Sequence, residues 1–130
     1  MPEMIEVAER IRSIRKRDSR YRPEAYEFVL QALDHTYRRI GERRHVSGRE
    51  FLEGLREFAL ERFGHMALLV FEHWGVRTTD DVGAIVFNLV EARVMGKTAA
   101  DTLDDFHAVY DFHEAFAPNE PLKVEWADEG

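Results

Sequence analysis

The sequence predicts an all-α fold, a single-domain bundle of five to six helices, with a minor β element near the C-terminus as the one departure. Three observations predict it. Apolar residues recur at steps of three and four along most of the chain. Glycines and cap residues punctuate those stretches at helix-length intervals. A chain of 130 residues with 45% hydrophobic content supplies one core.

The first helix is read from Met4, Val7, Ala8, Ile11 and Ile14. Glu3, Glu6 and Glu9 stand at its front and Arg10, Arg12, Arg15, Lys16 and Arg17 at its rear, the order the helix dipole favours. A basic connector covers residues 15–22. Pro23 suits the first turn of a second helix with the stripe Tyr26, Val29, Leu30, Leu33, Tyr37 and Ile40, closed by Gly41. Ser47 and Glu50 have capping-box spacing, and Val46 and Phe51 hold the two staple positions around them. The third helix therefore starts at Ser47, buries Phe51, Leu52, Leu55, Phe58, Ala59 and Phe63, and stops at Gly64.

Residues 66–74 are apolar almost all round, which predicts a short central fourth helix closed by Gly75. Thr78 or Thr79 caps a fifth, with Asp80 and Asp81 in its first turn and Val82, Ile85, Val86, Leu89, Val90 and Val94 as its stripe up to Gly96. Residues 98–116 read as one broken helix or two short ones, using Phe106, Val109, Tyr110, Phe112 and Phe116. The helical domain is thus expected over 1–117, with an acidic tail over 118–130. In that tail Leu122, Val124 and Trp126 alternate like a strand; residues 97–102 are the other place for a β element.

Charge is split by position. Up to Arg62 there are 14 cations and 12 acids, a balance of +2; beyond it 4 cations face 13 acids, a balance of −9. Such a split points either to an anionic partner for the front half or to pairing of the two halves. With no cysteine, disulfides and thiolate metal sites are excluded. The acids at the N-terminus suit no signal peptide, and the longest apolar run, residues 66–71, is too short to span a bilayer. A cytoplasmic protein with no membrane partner is expected.

Chemistry is thinly supplied. Gly96-Lys97-Thr98 resembles the end of a phosphate loop, but Glu91 stands where the motif needs glycine, and a helix precedes it where a strand is needed. The serines are explained by caps and connectors, so no nucleophile is offered. His107, Asp111 and Glu114 recur at helical spacing and form a candidate metal set of hard or borderline donors. A di-iron bundle would need two facing Glu-x-x-His pairs, which this chain lacks.

Two arginine clusters carry the stronger expectation. One spans Arg15, Arg17, Arg20 and Arg22; the other is Arg39, Arg43 and Arg44 with Arg38 and His45 beside them. Converging on one face, they would make a surface for phosphate or carboxylate. A helix-turn-helix reading of the fourth and fifth helices fails on Asp80 and Asp81, which would meet phosphates at the recognition helix's start.

Segments at residues 17–21, 26–33, 44–56, 71–76, 86–92, 105–106 and 110–112, among them Arg17-Asp18-Ser19-Arg20-Tyr21 and Phe71-Glu72-His73-Trp74-Gly75-Val76, resemble a family of small bacterial proteins with no assigned activity. The resemblance covers about three quarters of the chain. It implies a bacterial, cytoplasmic protein and transfers no functional residue.

The expectation is a non-catalytic binding or adaptor protein without a cofactor. Its arginine-rich face would meet an anionic macromolecule: RNA, a ribonucleoprotein or an acidic protein surface. The alternatives are a metal-binding protein or metal-dependent enzyme built on His107, Asp111 and Glu114, and a self-assembling structural subunit, a homo-oligomer.

Overall fold

The computed structural model describes residues 4–96 and 103–116. Among them the fold is all-α and no strand occurs. Both expected β segments, 97–102 and 122–126, and the tail 118–130 lie outside the described residues. Six helices follow in order: α1 (Met4–Arg17), α2 (Pro23–Ile40), α3 (Gly48–Phe63), α4 (Ala67–Trp74), α5 (Thr79–Glu91) and α6 (Phe112–Phe116). Short 3-10 turns at Gly64–Met66 and Leu103–Phe106 join α3 to α4 and precede α6. Among the described residues, no helix is long and apolar enough to cross a membrane.

The organising unit is the antiparallel pair α2–α3. Gln31 meets Arg62, His35 meets Glu57 and Arg39 meets Glu53, so residue numbers rise on one helix as they fall on the other. Thr36 sits against Gly54, where no side chain intervenes, and this lets the two backbones approach closely. The α3 N-terminus forms as its sequence requires. Ser47 Oγ accepts from the Glu50 amide at 3.1 Å, and the Glu50 carboxylate accepts from the Ser47 amide at 3.1 Å. Val46 and Phe51 are both buried beside that cap. At α5, Thr78 is the cap and Asp81 completes its box.

Helix α2 is the central element, burying Ala25, Tyr26, Phe28, Val29, Ala32, Leu33 and Thr36, and it touches α1, α3, α4 and α5. The expectation that the fourth helix is central is corrected. Only Ala67 and Phe71 of α4 are buried, and Leu69 is 58% exposed. Eight residues give α4 two turns, enough to cover one end of the aromatic core through Phe71 but not to be surrounded. That core joins Phe28, Phe58, Phe63, Phe71, Trp74, Phe112 and Phe116 through ring contacts of 5.0–5.9 Å.

Two further boundaries fall where a residue other than glycine takes a positive φ. Helix α5 ends at Glu91, because Arg93 adopts a positive φ of 62° and the amides of Val94 and Met95 both turn back to the Leu89 carbonyl. Before α6, Ala108 has φ 47°, and this is where residues 103–116 divide into a 3-10 turn and a short helix.

Candidate functional site

Each arginine of the first cluster has a partner within the fold, although Arg17, Arg20 and Arg22 stay exposed. Arg15 Nε donates to the Tyr21 carbonyl at 2.8 Å, and Arg17 pairs with Glu91 at 3.5 Å. Arg20 clamps Asp18 with Nε at 2.9 Å and Nη2 at 2.8 Å, and Arg22 lies 3.7 Å from Glu24. Asn88 then ties Asp18 to the bundle, its amide donating to Asp18 at 3.0 Å and to the Tyr26 hydroxyl at 3.2 Å. The Tyr21 hydroxyl donates to Asp81 at 2.6 Å. The Arg20 guanidinium holds the Asp18 carboxyl well below the usual carboxylate range; partial burial opposes this and the Asn88 amide adds to it. Burial, with the bond to Asp81, pushes the Tyr21 phenol up. Gly75, at φ 86°, lets the Arg20 carbonyl approach where a Cβ would stand. Asp18, Arg20, Tyr21, Tyr26, Asp81 and Asn88 thus form one polar network, bringing segments 17–21, 26–33 and 86–92 together, with the Trp74 carbonyl accepting from the Arg22 amide beside it.

The second cluster lies at the other end of α2. Arg22 precedes its first residue and Arg39 is next to its last, so an 18-residue helix of about 27 Å separates the two clusters. They form two sites, not one face. Arg39 Nε lies 3.6 Å from Glu57 and its Nη2 4.0 Å from Glu53. Arg44 bonds Glu50 at 2.8 and 3.2 Å and the His45 carbonyl at 2.7 Å. Arg44 first, and the Ser47 amide next, draw the exposed Glu50 carboxyl down to about 2. Arg43 lies over the Tyr37 ring, 5.2 Å from its centroid.

The metal set His107, Asp111 and Glu114 does not assemble. His107 Nδ1 is 2.9 Å from Asp80, and Asp111 is the cap of α6, accepting from the Glu114 amide at 3.1 Å. The helical spacing that grouped them presumed one continuous helix, which the turn at Ala108 interrupts.

What the structure builds instead is an open groove of about 890 Å³ between α3 and the segment leading into α6. Arg39, Arg49 and Arg56 line it with Leu60, Val109 and Tyr110. Arg49 and Arg56 are seven residues apart on α3, two turns along one face and about 10.5 Å in rise. Among the described residues, no ion pair or hydrogen bond engages the Arg49 side chain, and the bond from Arg56 to the Ala115 carbonyl, 3.2 Å, uses Nε. The Tyr110 hydroxyl donates to the Leu52 carbonyl at 2.8 Å, and burial raises its pKa. Acids share the lining: Glu53 and Glu57, both facing Arg39, and Glu61, Asp111 and Glu114. Of the arginines expected to bind a partner, Arg39 alone lines this groove. Arg49 and Arg56 were legible as an i, i+7 pair flanking the apolar stripe of α3, but they stand outside the two sequence clusters.

Compared with known proteins, the chain matches no family model, no curated protein and no solved structure, so its site is read from its own residues.

Proposed function

We propose that this protein is a non-catalytic adaptor that binds a carboxylate-bearing segment of a partner protein in the groove beside α3. The observation that carries this reading is the pair Arg49 and Arg56, two turns apart on α3 with a backbone rise of about 10.5 Å between them, on the wall of a groove that also offers Arg39 and the Tyr110 ring. Carboxylates three residues apart in a polyproline-II segment stand about 9 Å apart, and those seven apart on a helix about 10.5 Å, so both backbones present acids at a suitable spacing. Arg49 would receive one carboxylate through paired N–H donors, and Arg56 would receive the next through its terminal nitrogens. Leu60, Val109 and Tyr110 supply apolar contact between them.

Charge arithmetic favours a protein segment over nucleic acid among anionic partners. Three arginines neutralise about three phosphates, a salt slope of about −2.7 on duplex DNA, a small electrostatic contribution for backbone binding. Glu61, Asp111 and Glu114 in the same groove limit it to a short segment with few acids, since they repel any carboxylate or phosphate beyond those the arginines pair.

Fluorescence anisotropy tests the reading with a labelled twelve-residue peptide carrying glutamates at every third position, its all-glutamine counterpart, and 20-nucleotide RNA and DNA. The glutamate peptide is expected to bind at low salt, the glutamine peptide to bind at least about tenfold more weakly, and R49E to weaken the former about tenfold, the effect of about 1.4 kcal/mol. Equal binding of the two peptides, or no effect of R49E, would overturn the proposal. RNA retained at 0.15 M salt would move it to nucleic acid.

A further inference from the structure

We infer that His35, Glu57 and Glu61 form a binding site for a divalent transition ion of the zinc class, at the α2–α3 seam. His35 Nε2 lies 2.8 Å from Glu57 Oε1 and 4.0 Å from Glu61 Oε2, and all three donor atoms lie within 4.8 Å of one another. A tetrahedral ion with bonds of about 2.05 Å holds its ligands about 3.4 Å apart, a value that the two measured separations bracket. Glu57 and Glu61 stand one turn apart on α3 and so face the same way. The antiparallel packing that brings Thr36 onto Gly54 sets His35 opposite both. The His35 ring is itself held, at 5.1 Å and 33° to the Phe58 ring. Its side chain is 19% exposed, against 44% and 64% for Glu57 and Glu61. This leaves one protected nitrogen and two carboxylates at the surface, with room for water as a fourth ligand. One nitrogen and two oxygens suit zinc, cobalt or manganese better than calcium, which takes six or more oxygens.

Arg39 is the cation that competes with an ion for Glu57. Its Nε lies 3.6 Å from Glu57 Oε2, the carboxylate oxygen that does not face His35. An ion on Oε1 would leave that contact in place but share the carboxylate's charge with it. Removing the arginine's charge should therefore tighten metal binding, whereas an ordinary ion-pair network would gain no metal affinity from the change. Glu57, Glu61 and Arg39 also line the groove beside α3, so the ion is titrated with no peptide present and its binding is read apart from that of the peptide.

Calorimetric titration of the whole protein with zinc, and visible absorption on adding cobalt, test it. One equivalent is expected. E61Q and H35A should each weaken binding about tenfold or more, R39Q should tighten it, and far-UV circular dichroism should be unchanged. Wild-type affinity no better than that of E61Q, which alters only an exposed side chain, would overturn the site. So would tight binding that ignores both substitutions, because the ion would then sit on other histidines of the chain.

Discussion

Asp18 shows how one side chain can invert a sequence reading. Among the cations of residues 10–22 it is the single acid, and it looks like a minor interruption of a basic patch. In the fold it is the hub: Arg20 clamps it, and Asn88 reaches it from α5. Its folded pKa is depressed, so its contribution is fully present above the unfolded value, about 3.9, and is lost as pH falls through the lower folded value. D18N should lower the urea midpoint at pH 7 and leave a shallower loss of stability between pH 5 and pH 2 than the wild type shows. Parallel acid flanks for the two proteins would contradict this. Arg15, Arg17 and Arg20 were legible as cations but not as structural ones. The Tyr21 carbonyl lies close in sequence, but Glu91 and Asn88 stand about seventy residues away in the chain, and no local pattern reports a contact across that distance.

Elements were legible where their signals are local. The capping box and staple at Ser47 placed the start of α3, because every participating residue lies within six positions of the next. The fourth helix was misplaced for a physical reason: apolar periodicity says which side chains leave water, but a two-turn helix at the edge of a core also carries apolar residues, and Leu69 stays exposed. The break expected somewhere in residues 98–116 falls at Ala108, which takes a positive φ with no glycine to announce it. With it went the grouping of His107, Asp111 and Glu114. The contact that seats α2 on α3 was likewise silent in the sequence. A Cβ at Gly54 would overlap the Thr36 hydroxyl, which already donates to the Ala32 carbonyl at 2.8 Å, and would stand 3.0 Å from Thr36 Cβ. G54A should therefore cost about 1–3 kcal/mol despite alanine's better helix propensity, and a urea melt reads it directly. A stability equal to or above wild type would show that the helices separate freely.

At the scale of the molecule, the +2 front half and −9 back half do not confront each other as two charged bodies. Arg17 with Glu91 crosses between them; pairs such as Arg10 with Glu6, Arg38 with Asp34, Arg39 with Glu57 and Arg44 with Glu50 stay within the front half. The two arginine clusters are held apart at the ends of α2, and the groove beside α3 draws on Arg39, Arg49 and Arg56. The most direct measurement is a backbone amide shift map of nitrogen-15-labelled protein titrated with the glutamate peptide. Shifts are expected at residues 39, 49, 52–56 and 109–111, while Arg15, Arg17, Arg20 and Arg22 stay still. Shifts centred on residues 15–22, or none at millimolar peptide, would contradict the groove as the partner's seat.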